Sequence, residues 1–245
     1  HNGDHLSIDS IINRKESVVT LSGHVYHPGQ FAWQEGMTVS DLMQQMGEMR
    51  EGLDLNYATI TRKDPVTGYL SAVAVNPSNV LANIDGEGDR ALYDNDVLQL
   101  FSIDGNRAAQ LAGLIDALNS QYRAGELPQV ATITGARLPG TFPMTVDMRL
   151  SDLIAAAGGV RPDYADLDYS VLVREDIDAM GDIKVVLVNL RNVLNKKGGA
   201  DDYRVQPKDR LMIFTFDENK AATLAGVVAE LRSQAKLGNT PKIVS

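Results

Sequence analysis

The sequence predicts an α+β protein made of two tandem copies of one unit, each a small mixed sheet with one helix packed across it, the copies connected by amphipathic helices. Three observations predict it. Residues 130–140 (VATITGARLPG) repeat residues 18–29 (VVTLSGHVYHPG). The likeness then continues through each copy, with single-residue drifts in offset that fall only at turns. Apolar residues follow a two-residue period in some matched segments and a helical period in others.

Each copy opens as a β-hairpin. Val19, Leu21 and Val25 alternate with Thr20, Ser22 and His24, and Ala131 and Ile133 alternate with Thr132 and Thr134, the pattern of a strand with one buried face. Gly23 and Gly135 within these strands mark a bulge or a close backbone approach. Pro28-Gly29 and Pro139-Gly140 predict the turn, with the glycine at φ > 0. Short return strands are expected around Gln30–Trp33 and Thr141–Met144.

A helix follows in each copy. Val39, Leu42, Met43 and Met46, and then Leu150, Leu153, Ile154 and Ala157, fall on one helical face. Thr38 is placed to cap the first helix with Asp41 three residues on, Arg149 stands at the matching place in the second, and Gly47 and Gly158 end the two helices. Strands are then expected at Tyr57–Arg62 and Tyr169–Arg174, turns at 64–68 and 179–182, and strands at Leu70–Val75 and Ile183–Val188. Brief helical segments around Asn79 and Asn192 and last strands at Val97–Ser102 and Arg210–Phe216 complete the copies.

The repeat extends past the last strand. Residues 104–113 (DGNRAAQLAG) match 217–226 (DENKAATLAG), and Ser120-Gln121 matches Ser233-Gln234. Both segments carry an apolar helical stripe, Leu111, Leu114, Ile115 and Leu118 in one and Leu224, Val227, Val228 and Leu231 in the other. The expected division is an N-terminal segment 1–16, a first domain 17–103, a linking helix 104–127, a second domain 128–216, and 217–245 as a second linking helix with the start of a truncated third repeat. In that register residues 243–245 are the counterpart of 130–132, and the chain is expected to be a fragment of a longer array.

Composition narrows the function. The net charge is −9, with no basic stripe, which argues against nucleic acid and anionic lipid as partners. Cysteine is absent, so disulfides, thiol catalysis and Cys-ligated metals are excluded together. No apolar run approaches the roughly 18 residues of a membrane span, so no direct membrane insertion is expected. The nucleophile-elbow, phosphate-loop, dinucleotide and metalloprotease motifs are missing, and the chain is expected not to be an enzyme.

The mid-strand glycine, the Pro-Gly turn, Leu150–Gly159 (LSDLIAAAGG), Val188-Asn189-Leu190 and the closing 207–211 (PKDRL) together resemble the soluble-ligand-binding β-grasp, or SLBB, domain. The resemblance covers Val18–Ser102 and Val130–Phe216. The first copy departs from it, with Met46-Gly47-Glu48 in place of Ala-Gly-Gly and 93–97 (YDNDV) in place of the closing motif. Tandem SLBB domains imply a bacterial capsule or exopolysaccharide export protein in the periplasm, associated with the outer membrane through other parts. The partners so implied are polysaccharide, neighbouring repeats or further copies of the same protein, and an inner-membrane polysaccharide co-polymerase. No cofactor is expected.

Candidate ligand contacts follow from recurrence. Tyr57 with Tyr169 are stacking platforms for sugar rings unless they are core; Trp33, the only tryptophan, is a glycan contact unless it packs its hairpin. Arg62 and Arg174 suit a polysaccharide carboxylate unless nearby acids, Asp64 or Glu175 and Asp176, hold them as ion pairs. His24 and His27 lack further ligands for a metal, and the acidic turn 85–89 lacks calcium-loop spacing, so turn chemistry suffices for it. The leading expectation is a structural and interaction module; its rivals are a glycan-gripping module and a small-ligand β-grasp, such as a corrinoid binder.

Overall fold

In the computed structural model, residues 17–121, 128–175, 182–236 and 242–244 are described. The first unit runs β1 (Val18–Gly23), β2 (Gly29–Ala32), α1 (Val39–Met46), β3 (Leu53–Lys63), β4 (Leu70–Val75), α2 (Pro77–Ala82) and β5 (Val97–Ser102), followed by α3 (Arg107–Ser120). The second repeats it as β6 (Val130–Thr134), β7 (Gly140–Pro143), α4 (Leu150–Ala156), β8 (Ala165–Glu175), β9 (Ile183–Val188), α5 (Leu190–Asn195) and β10 (Arg210–Thr215). After it come α6 (Lys220–Thr223), α7 (Ala225–Lys236) and β11 (Lys242–Val244). Each unit is one mixed sheet, ordered β2-β1-β5-β3-β4 and β7-β6-β10-β8-β9-β11. In each, the opening strand pairs parallel with the closing one and antiparallel with its hairpin mate.

The local chemistry explains these elements. Thr38 and Asp41 form a reciprocal capping box at α1: Asp41 N–H donates to Thr38 Oγ1 at 3.4 Å and Thr38 N–H donates to Asp41 Oδ2 at 2.9 Å. At α4 only the second half exists, Arg149 N–H donating to Asp152 Oδ2 at 3.0 Å. Gly47, Gly158 and Gly159 take positive φ beyond the two helices.

The acidic turns supply a further hold on each helix start. Asp89 accepts from Ser40 N–H at 3.0 Å, and its counterpart Asp202 accepts from Ser151 N–H at 2.8 Å and from the Ser151 hydroxyl at 2.9 Å. The carboxylates thus meet backbone donors that the helix itself leaves unpaired.

Gly23 and Gly135 mark close backbone approaches, as expected. A Cβ there would stand 1.9 Å from the carbonyl oxygens of Leu100 and Ile213 respectively, and both residues have positive φ. The Pro-Gly pairs do something else. Neither Gly29 nor Gly140 has φ > 0; the chain reverses just before them, and each glycine begins the return strand, Gly29 opposite Leu21 and Gly140 opposite Ile133. Gly140 is small for a packing reason, since a Cβ on it would lie 2.6 Å from Ala108 Cβ of α3.

The strands expected at Tyr57–Arg62 and Tyr169–Arg174 are longer, because each continues upstream through a register shift, between Leu53 and Ala58 in β3 and on the β8 side between Ala165 and Ser170. Of the expected second turn, residues 179–181 lie outside the described residues. The two apolar stripes find different surroundings. Leu111, Ile115 and Leu118 of α3 are buried and Leu114 is partly so, in a core that joins Tyr57 and Phe101 of the first unit to Phe142, Leu153 and Ile213 of the second. Val227 is buried beside β8, β9 and Phe214, Leu224 and Leu231 are half-buried there, and Val228 is 39% exposed. The strand β11 pairs parallel with the outer edge of β9, Ile243 opposite Val185.

Candidate functional site at the joint between the units

The joint is built on a buried charge. Arg107, the first residue of α3, has a side chain with no exposure, and its guanidinium forms an ion pair with Asp54 of β3. The other guanidinium nitrogen donates across the joint to the carbonyl oxygen of Ala156 at 2.5 Å, at the C-terminal end of α4. Charge and partner suit each other there, because the last carbonyls of a helix have no partner within it and carry its negative end. Tyr57 and Phe101 stack at 5.7 Å between centroids, and the guanidinium lies 5.2 Å and 5.0 Å from the two rings. The rings shield the ion pair from water, which strengthens its electrostatics and raises the cost of breaking it.

Two further contacts complete the joint. Arg137 of the second unit's hairpin pairs with Asp104 at 2.5 Å on the surface. Thr145, just past β7, forms a parallel bridge to Ala72 on the outer edge of β4.

Beside the joint lies a cleft of about 910 Å³ between the units, bordered by Tyr57, Arg62 and Tyr93 on one side and by Ser151, Asp152 and Lys197 on the other. Lys197 Nζ is 2.6 Å from Asp152 Oδ1. The Tyr57 hydroxyl is buried and has no hydrogen-bond partner. Burial pushes its pKa well above the usual tyrosine value; the Arg107 charge opposes that shift and the Asp152 carboxylate adds to it.

The structure brings two of the candidate ligand contacts, Tyr57 and Arg62, to this cleft and places the others elsewhere. Arg62 forks onto the buried Asp96, with Nε and Nη2 at 3.0 Å and 2.6 Å from its two oxygens, and stacks over Tyr93 at 3.9 Å. Arg174 makes the same fork onto Asp209 at 2.9 Å and 2.7 Å. These partners lie on or beside the closing strands, not among the acids adjacent in sequence. Trp33 packs against the first unit's core and donates its indole N–H to Leu92 O at 2.7 Å. Tyr169 is half-buried, tilted on Phe214 at 5.6 Å.

Sequence reasoning missed Arg107, Asp54 and Asp152. A signal for the first pair was present in the repeat itself: Asp54 recurs as Asp166 and Arg107 as Lys220, and this second pair also meets, at 2.6 Å. Among the described residues, no group of three or more His, Asp or Glu stands close enough to hold a metal, and no helix is long and apolar enough to cross a membrane. A family model, that of the SLBB domain, matches residues 18–70 and 130–181, one segment in each unit. No curated protein matches the chain.

Proposed function

We propose, starting from a chain that carries two tandem SLBB domains, that it is a structural module of a bacterial polysaccharide export protein, acting on the periplasmic side of the cell envelope. Its task in this reading is to hold successive SLBB domains in a fixed orientation, so that copies of the protein line a passage for capsular or exopolysaccharide. It performs no catalytic step, and its partners are its own neighbouring repeats, the exported glycan and an inner-membrane polysaccharide co-polymerase. The observation that carries the reading is the fully buried Arg107 at the joint, together with the helix α3, whose apolar face lies in a core drawn from both units. A binding module needs a site, whereas a spacer needs a rigid seam, and here a fully buried charge stands at the seam. The test is made in the cell that encodes the chain. Arg107→Glu in the chromosome should abolish surface polysaccharide while leaving its synthesis intact. Normal surface polysaccharide in a strain lacking the whole gene would rule the reading out.

A second reading is favoured by the cleft. Its volume and its mixed lining of aromatic rings, carboxylate and amine suit two or three sugar rings. Titration of labelled protein with an acidic oligosaccharide should then shift amides around Ser151 and Tyr93 and leave the rest unmoved. Amide spectra unchanged throughout the titration would exclude it.

A further inference from the structure

The seam between the two domains has a second, incomplete copy on the outer side of domain two. Asp54, Tyr57, Phe101 and Arg107 recur as Asp166, Tyr169, Phe214 and Lys220. The second set has a similar internal arrangement, with the ring pair tilted where the first is stacked. Lys220 Nζ is 2.6 Å from Asp166 Oδ2 and 5.4 Å from the Tyr169 ring, and that ring lies against Phe214. Asn106 and Asn219 cap the following helices in the same way, accepting from Ala109 and Ala222 N–H at 3.0 Å and 3.2 Å.

What differs is the cover. The Arg107 side chain has no exposure while that of Lys220 has 32%, and Ile115 is 9% exposed where its counterpart Val228 is 39%. In the first seam the covering is supplied by the next domain: the α4 carbonyls meet Arg107, Gly140 seats on Ala108, and Arg137 reaches Asp104. Ala108 is half-buried there, while its counterpart Ala221 is exposed.

We infer that the face formed by Lys220, Asp166, Tyr169 and the outer side of α7 is a docking site for a further SLBB domain, which presents the C-terminal carbonyls of its helix to the Lys220 ammonium. The occupant is a domain whose helix ends in small residues, as α4 ends in Ala155-Ala156-Ala157 before Gly158. Only such an end lets carbonyl oxygens come within hydrogen-bond reach of a cation lying flat on the sheet. Domain one of a second copy of this chain fits worse. At the positions matching Ala155 and Ala156 its helix carries the exposed Gln44 and Gln45, whose longer side chains crowd that approach. On the outer edge of β9 the backbone already accepts a parallel segment, Ile243 on Val185, at the residue corresponding to Ala72, which Thr145 bridges in the first seam. Docking therefore replaces β11 on that edge and releases it to serve as the opening strand of the domain that docks.

This inference rests on reading the chain as part of an array, and its test is independent of export. The whole chain is extended after Thr240 by a second copy of residues 128–236, and spin labels are placed on cysteines, which the natural sequence lacks. Labels at the exposed, matched positions Glu87 and Ala200 in the natural chain give the reference separation across the first seam. Labels at Ala200 and its copy in the extended chain should give one narrow distribution at that same separation, unchanged on dilution. Lys220→Arg should keep it. Lys220→Glu should broaden it, and so should Val228→Asp, which alters an exposed position and leaves the natural chain folded. A broad distribution in the unaltered extended chain, with the copy's amide spectrum showing it folded, would overturn the inference. So would indifference to both substitutions, or a narrow signal that vanishes on dilution, since that marks a second molecule as the occupant. Failure here with export still dependent on Arg107 leaves the proposed function standing.

Discussion

Gln121 holds both backbone polar groups of Leu70. Its Oε1 accepts from Leu70 N–H, and its Nε2 donates to Leu70 O at 2.9 Å. The residue that caps the C-terminal end of α3 thereby fastens the first residue of β4, an edge strand whose backbone has no sheet partner on its outer side at that point. The matched residue Gln234 donates to Ile183 O at 3.2 Å.

Gln121→Ala leaves two backbone groups of a partly buried residue without partners. The expected loss is about 1–3 kcal/mol, with faster hydrogen exchange at Leu70 as the local signature. Unchanged exchange at Leu70 would show that the contact carries no weight.

Arg107→Ala strands Asp54 as a buried, unpaired carboxylate, and the expected destabilisation is about 3–5 kcal/mol. The double change Arg107→Met with Asp54→Leu removes both charges and should recover most of that loss. A double-mutant cycle in denaturant would read the coupling directly. Recovered stability combined with loosened domain orientation in scattering would separate what the pair does for folding from what it does for direction.

Gly23→Ala and Gly135→Ala each drive a methyl group into a carbonyl oxygen at a backbone angle that resists a side chain. A loss on the order of 4 kcal/mol or more is expected from either, the range reserved for strain and overpacking. Calorimetry of the two variants should show the whole transition lowered in both cases.

Tyr57 gives the chain an alkaline weakness. Its folded pKa is raised above the unfolded value of about 10, so the native state keeps a proton that the unfolded state releases. Stability is then complete below that unfolded value and declines as the pH climbs past it. Tyr57→Phe removes the decline, and the gap in melting temperature between variant and natural protein should widen from neutral to alkaline pH. A constant gap would place the hydroxyl in contact with water.

Leu111→Asn and Leu224→Asn test the two helix stripes unequally. Leu111 has no exposure and sits in the core shared by both domains, so a loss of about 3 kcal/mol or more and a disordered joint in scattering are expected. Leu224 is only half-buried, and the same change there should cost less and leave the joint as it was.

The repeat was legible because strand and helix periods survive divergence in side-chain detail. Leu70–Val75, Ile183–Val188 and Val97–Ser102 stand where alternation places them, since one face of each must be buried. The extensions of β3 and β8 were not legible, because a bulge shifts the alternation and hides the continuation. The Pro-Gly turns misled for a similar reason. Gly140 is small for Ala108, a residue 32 positions upstream, and local turn chemistry cannot report a tertiary contact. The joint stayed hidden because an arginine before an apolar stripe is read as the solvated end of a helix. Only its pairing with an aspartate 53 residues away, beneath two aromatic rings, reveals a buried charge. Arg62 and Arg174 were visible as a matched pair, but their partners Asp96 and Asp209 stand just before strands that only the sheet order brings alongside.

The burial of α3 in a core drawn from both units separates two kinds of boundary. Inheritance copies this chain from hairpin to helix, and a duplication adds or removes that stretch whole. Packing follows a different block, one that takes in Tyr57 of β3 and Phe101 of β5, passes through α3 and runs on into the hairpin of the following copy. Each duplication at a seam therefore cuts one such block and completes another, and a repeat gained in evolution arrives already half assembled with its neighbour.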